Sequence, residues 1–256
     1  LDLTTLKGLT ATTATSRMLW ELKDSASSKI GYMLNAPAVF PVTSGDTTSW
    51  LAVFGNGYNN SESDSNADST GTGALLAVDL LTGSIKKTLS TNKGKTSDPT
   101  GQSRPNSLTE PVAADSNLDG AVDALYSGDL FGNVWKVDIA GKSVTNWAFE
   151  IGSNSQPQPM FTATSRDTPA ASQPITIRPS VAYHPNGGLL VMVGTGKYIE
   201  TTDVSVDNQT TQSLYGLWDK PGRTDTISRS SLLEQTLVNE IAATPYNHRE
   251  TSKNLI

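Results

Sequence analysis

An internal repeat constrains this chain more than any single motif does. Three stretches present the same features in the same order. The first runs PAVFPV (37–42), the turn TSGDTTS, WLAVFGNGY (50–58) and ALLAVDLLTG (74–83). The second runs PVAAD (111–115), an acidic loop, DALYSGD (123–129) and NVWKVDIAG (133–141). The third runs PSVAYHP (179–185), the turn NGG, LLVMVGTGK (189–197) and, after an insertion, SLYGLWDKPG (213–222). Opening prolines Pro37, Pro111 and Pro179, and turns beginning at Asp79, Asp138 and Asp219, keep the three copies in phase.

The segments are short, rich in Val, Leu, Tyr, Phe and Trp, and bounded by Gly, Pro, Asn and Asp, which is the signature of strands. A proline is tolerated where each first strand begins. Adding a fourth strand, such as SIKKTLS (84–90) or TNWAFEI (145–151), gives four antiparallel strands per unit. Units of that kind bury their apolar faces only against one another, so the chain is predicted to be all-β and a β-propeller. The blades span 37–90, 111–151 and 179–222 within a single propeller domain covering 1–256. A partial blade occupies 1–24, with LDLTT like a third strand and RMLWELKD (17–24) like a fourth. Three complete blades and one partial blade fall short of a closed ring. Leu232, Leu233, Leu237 and Ile241 recur at helical spacing behind a serine cap, which predicts a short C-terminal helix over 229–242. The polar inserts 59–73 and 90–106 read as flexible surface loops. The chain opens on LDLTTL without an initiating methionine and is read as a mature or excised piece of a longer protein.

The acidic loop DSNLDGAVD, Asp115 to Asp123, carries the candidate chemistry. Oxygen-bearing side chains stand at its first, third, fifth and ninth places (Asp115, Asn117, Asp119, Asp123). Gly120 permits a sharp turn at the sixth place, and Ala121 offers its backbone carbonyl at the seventh. Calcium takes six to eight such hard oxygens. Tyr126 stands where an EF-hand has its bidentate glutamate, so the loop belongs to a strand hairpin instead. Three carboxylates this close repel unless a cation neutralises them, and the equivalent turns TSGDTTS and HPNGG lack this chemistry. The other reading is an Asp- and Asn-rich hairpin that holds no ion. DSNADSTGT (64–72) matches the pattern less well, with serine and threonine at its sixth and ninth places.

Other chemistry is sparse. A net charge of −6 with 17% charged residues argues against a nucleic-acid partner. The chain has no cysteine, two histidines (His184 and His248) and no apolar run long enough to span a membrane. His184 is expected to be a turn residue. GTGKY (194–198) lacks the first glycine and the hydroxyl of a phosphate loop, and Gly55-Asn56-Gly57 lacks the third glycine of a dinucleotide fingerprint. Trp50, Trp135, Trp147 and Trp218 are expected to pack between blades.

DSNLDGAVDALYSGDLFGNVWKVDI, with WLAVFGNGYNN before it and QPITIRPSVAYHPNGGLLVMVGTGKYIE and TQSLYGLWD after it, resembles the C-terminal propeller of the PilY/PilC family. These are bacterial type IV pilus biogenesis factors and pilus-tip adhesins. The resemblance covers roughly residues 17–235. It implies part of a modified seven-bladed, quinoprotein-like propeller and a calcium site at Asp115, Asn117, Asp119, Ala121 (carbonyl) and Asp123. It further implies control of pilus extension against retraction in twitching motility and surface attachment. The implied partners are minor pilins and pilus-tip proteins and, through the full-length protein, a host or surface receptor. The implied location is the bacterial cell surface, at a pilus tip or outer membrane, after export through the periplasm. Two other readings remain: a quinone-dependent dehydrogenase of the same blade type, and a calcium-independent outer-membrane assembly scaffold.

Overall fold

Continuous apolar runs such as LAVF and ALLAV point side chains to alternate sides of a strand, so both faces of the sheet must be covered. A computed structural model describes residues 18–23, 25, 29–61, 68–205 and 210–254, and shows how that is met. The first unit is an antiparallel sheet in the order β1 (Ala38–Ser44), β2 (Thr47–Gly55), β3 (Ala74–Asp79), β4 (Ile85–Ser90). In the second, β5 (Val112–Ala114), β6 (Ala124–Gly128) and β7 (Asn133–Asp138) are consecutive neighbours. Its fourth strand is split. β8 (Ala148–Phe149) pairs with Val137 and Asp138, whereas β11 (Phe161–Thr162) pairs with Asn133 and Val134 farther along the same edge. The excursion between these pieces holds a small hairpin of β9 (Gly152–Ser153) and β10 (Gln156–Pro157).

The third unit is a three-stranded sheet of β12 (Ser180–Tyr183), β13 (Leu189–Gly194) and β14 (Leu214–Asp219). After β14 the chain returns to the second unit, where Ile227 bridges Phe161. The helix expected over 229–242 does not form. Arg229–Ser231 make a single 3₁₀ turn, and β15 (Leu237–Ile241) pairs antiparallel with β16 (His248–Thr251). The leucines at helical spacing do not share one buried face: Leu232 packs on the core, while Leu233, Leu237 and Ile241 are exposed. Everything before Met18 in the expected partial blade, LDLTT included, and Asp24 at its end lie outside the described residues; Trp20 and Leu22 pack against the first sheet.

The alternation of side chains divides the core into layers between sheets. Leu51, Val53, Leu75 and Ala77 face Leu125, Trp135 and Val137 of the second sheet. Their sequence neighbours Ala52, Phe54, Leu76 and Val78 face the opposite way, toward Ile30, Trp20 and Leu22. Ala124 and Tyr126 turn to the third sheet and meet Leu189, Val191, Val193 and Leu217. Trp135 and Trp147 are fully buried in the first inter-sheet layer, Trp147 stacked on Phe40 at 6.1 Å. Trp50 and Trp218 depart from the packing expectation and are exposed on sheet surfaces.

The insert at 90–106, expected to be flexible, is pinned instead. The Thr91 hydroxyl donates to the Gly73 carbonyl at 2.7 Å, and Asn106 is fully buried. Asp98 accepts from Arg104 Nη2 at 3.0 Å, from the Arg104 backbone N–H at 2.9 Å and from Thr100 at 3.0 Å. Burial pushes the Asp98 carboxyl up, but these donors outweigh it and bring its pKa down to about 2 from an ordinary 3.8. A depressed carboxylate stabilises the fold above its unfolded pKa and loses that contribution as pH falls through its folded pKa. Asp98→Asn is therefore expected to cost about 2 kcal/mol near neutral pH, with the gap to wild type closing between about pH 4 and pH 2. Paired thermal melts from pH 7 to pH 2 measure this; a gap independent of pH contradicts it.

Candidate metal centre

The acidic loop joins β5 to β6 and is closed at its base, where the Asp123 N–H donates to the Ala114 carbonyl at 2.8 Å. The Ile139 N–H donates to the Asp123 carbonyl at 2.9 Å, which ties the loop's end to the third strand of the same sheet. Leu118 (φ 66°) and Gly120 (φ 89°) adopt left-handed backbone, so the chain reverses twice within three residues. Gly120 meets that demand without strain.

These reversals turn the loop's N–H groups onto its own side chains. Asp115 accepts from Leu118 N–H at 2.6 Å and from Gly120 N–H at 2.8 Å. Asn117 Oδ1 accepts from Asp119 N–H at 2.9 Å, and Asp119 Oδ1 accepts from Ala121 N–H at 2.8 Å. Asp123 Oδ2 accepts from the Ser116 N–H at 2.8 Å and hydroxyl at 2.7 Å. Desolvation pushes the Asp115 carboxyl up, but the N–H groups of Gly120, Leu118, Asp119 and Asn117 outweigh it and hold its pKa below the ordinary value.

All five sequence-expected positions thus belong to one tight loop whose donor set is entirely hard oxygen, the kind calcium takes. Among the described residues, no group of three or more His, Cys, Asp or Glu side chains is gathered closely enough to hold a metal ion. Asp119 Oδ2 and Asp123 Oδ1 receive no hydrogen bond from the described residues. In the weaker match at 64–72, Asp64 and Asn66 lie outside the described residues. Asp68 is buried there and accepts from Lys29, Thr70 and the Thr72 N–H, as a turn residue does.

The loop stands at the seam between the second and third sheets. The Tyr183 hydroxyl, at the end of β12, donates to the Asp115 backbone carbonyl at 2.7 Å. Ser116 and Asp123 line a cavity of about 300 Å³ together with Tyr126, Lys136, Asp219 and Arg223. The equivalent turn of the third sheet holds His184, stacked on Trp218 at 4.3 Å, in a structural role.

Asp219 breaks the repeat in an instructive way. Its counterparts cap their own turns through the N–H two residues on: Leu81 donates to Asp79 and Ala140 to Asp138. Two residues after Asp219 stands Pro221, which has no N–H. The freed carboxylate crosses to the second sheet and accepts from the Tyr126 hydroxyl at 2.5 Å and from Lys136 at 2.9 Å. Burial, with the Asp219 charge and hydrogen bond added, pushes the Tyr126 phenol well above its ordinary range.

A second polar centre was hidden in the motif SGD. Asp129 is fully buried; Oδ1 accepts from the Phe131 N–H at 2.9 Å and the Asn133 N–H at 2.8 Å. Oδ2 accepts from Asn106 at 3.0 Å, Asn133 Nδ2 at 2.9 Å and Trp135 Nε1 at 2.8 Å. Burial pushes this carboxyl up, and the donors from Asn106, Asn133 and Trp135 pull against it. The repeat carries the signal that locates it. The residue after each second-strand glycine accepts from an N–H at the start of the third strand: Asn56 from Ala74, Asp129 from Asn133 and Thr195 from Ser213.

Stacked antiparallel blades, one carrying an acidic loop between its first two strands, define a β-propeller domain. The PilY1 beta-propeller domain profile matches residues 1–248, and the chain belongs to that family. Type IV pilus biogenesis factor PilY1 of Pseudomonas aeruginosa is 35% identical over 254 residues, covering 90% of this chain and 20% of that protein. A PilY1 homolog of Xylella fastidiosa is 34% identical over 209 residues, covering 80% of this chain and 13% of its own length. The crystal structure of the Pseudomonas aeruginosa PilY1 C-terminal domain superposes with a TM-score of 0.72 at 34% identity, covering 93% of this chain and 50% of that one. The chain therefore spans about a fifth of the first of these proteins and half of the solved domain. These relatives are named as biogenesis factors, not as enzymes.

Proposed function

We propose that the chain is a calcium-binding, non-enzymatic regulatory and scaffold domain of a type IV pilus biogenesis and adhesion protein. It acts at the bacterial cell surface with minor pilins and pilus-tip proteins, and sets pilus extension against retraction. The observation that carries this reading is the loop from Asp115 to Asp123, set in one blade of three and absent from the corresponding turns of the others. Side-chain oxygens of Asp115, Asn117, Asp119 and Asp123 and the Ala121 carbonyl would hold the ion. When bound, calcium neutralises the three carboxylates and fixes the loop's outline. With three carboxylates and no bidentate glutamate, the affinity falls in the range of about 10⁻⁶–10⁻³ M.

Calcium titration calorimetry on this chain and on Asp119→Ala tests the proposal. The wild type is expected to bind one ion, and the variant to bind it at least about thirtyfold more weakly while melting at the wild-type temperature in chelator. In the full-length protein the same variant is expected to reduce piliation and twitching. Equal affinity in the two chains overturns the site. No heat from the wild type leaves the calcium-independent scaffold as the reading.

A further inference from the structure

We infer that Tyr183 is a positioning residue for the calcium loop, and that it makes calcium affinity depend on the third blade; this rests on the calcium reading above. Tyr183 closes β12 and is paired with Leu189 of β13, so its backbone is fixed by the sheet. Beyond it, the stack of His184 on Trp218 and the bond from Trp218 Nε1 to the Gly187 carbonyl at 2.8 Å hold the hairpin rigid. From this fixed base the phenol reaches across the seam to the carbonyl of Asp115, the first ligand place. The last ligand place faces the same seam, since Asp123 and Ser116 share their cavity with Gly188, Lys220 and Arg223 of the third unit. Both ends of the loop therefore abut the neighbouring blade, whereas its tip at Leu118 is 71% exposed.

This arrangement has a physical consequence. Five ligand positions must be ordered against the mutual repulsion of three carboxylates before an ion is held. A loop anchored at its first residue gives up less freedom on binding than a loose one, which raises affinity without adding a ligand. Coupling of this kind is reciprocal, so calcium must in turn steady β12 and β13.

The test is calcium calorimetry on the whole chain as wild type, Tyr183→Phe and Arg178→Ala. Phenylalanine keeps the ring and removes only the donor, at a side chain that is largely exposed. Tyr183→Phe is expected to raise the calcium Kd about three- to tenfold, the worth of one hydrogen bond. It should leave the stoichiometry unchanged and lower the melting temperature in chelator by no more than a few degrees, about the loss of one exposed hydrogen bond. Amides of β12 and β13 should gain hydrogen-exchange protection with calcium in the wild type, and markedly less in Tyr183→Phe. Arg178→Ala breaks another polar link across this seam, Arg178 to Glu110 at 3.1 Å, at the opposite end of β5 from the loop. Its Kd is expected to match the wild type. An unchanged Kd in Tyr183→Phe, or an equal rise in Arg178→Ala, overturns the positioning role while leaving the calcium site standing. A wild type that binds no calcium overturns both.

Discussion

Replacing Asp129 by alanine is expected to lower the melting temperature by about 10 °C. The carboxylate has no solvent contact and gathers donors from three places: the end of the insert at Asn106, its own turn at Phe131, and β7 at Asn133 and Trp135. Alanine leaves these N–H groups buried without an acceptor, at about 1–3 kcal/mol for each that finds no substitute. Partial relaxation and water entry bring the net loss to about 3–5 kcal/mol, and each kcal/mol is worth about 2–4 °C in a domain of this size. Asparagine should not rescue it. Both carboxylate oxygens already accept from at least two donors, so an amide NH₂ at either position confronts N–H with N–H. Circular-dichroism melts of Asp129→Ala and Asp129→Asn check this, and a loss below about 2 °C in either would contradict the assignment.

Gly55→Ala is expected to destabilise by about 2–4 kcal/mol, and Gly194→Ala, its counterpart in the third blade, by almost nothing. A methyl at Gly55 would stand 2.1 Å from the Leu108 carbonyl oxygen. That carbonyl cannot retreat, because Leu108 is fully packed and its backbone bridges Asp129. A methyl at Gly194 meets only the tip of Ile177 at 3.4 Å, and Ile177 is exposed and free to turn. The two positions have the same place in the repeat and differ in whether a following blade presses on them. Urea unfolding midpoints of the two variants, at unchanged m-value, give the comparison. Equal losses would show that the glycines serve the strand itself rather than the packing of one blade on the next.

Much of the fold could be read from the residues because the repeat and the strand period agree. Runs such as LAVF in β2 require two covered faces, and only stacked sheets provide them. The loop was legible for the same reason, since one hairpin of three departs from its copies. What failed depended on contacts that no local pattern records. Leu232 to Ile241 have helical spacing, but spacing predicts a helix only when one core takes up the whole stripe. Here only Leu232 finds the core, and the later residues pair with β16 instead. The insert at 90–106 looked flexible from its polar composition. Its order comes from Asp98, Arg104 and Asn106, whose partners are fixed by tertiary position. Asp129 has the spacing of a turn aspartate, and what makes it a hub is its burial, which sequence spacing does not record.

Pro221 shows how a repeat array loses interchangeability. In the first blade, Asp79 closes its own turn, so that turn is chemically self-contained. In the third, one imino acid removes the local donor, and Asp219 is handed to Tyr126 and Lys136 next door. A graft or recombination that exchanged the third blade for a generic one would therefore strand Tyr126 and Lys136 of the second. Reordering these blades would damage the blade that stayed in place, and the second and third must be inherited together.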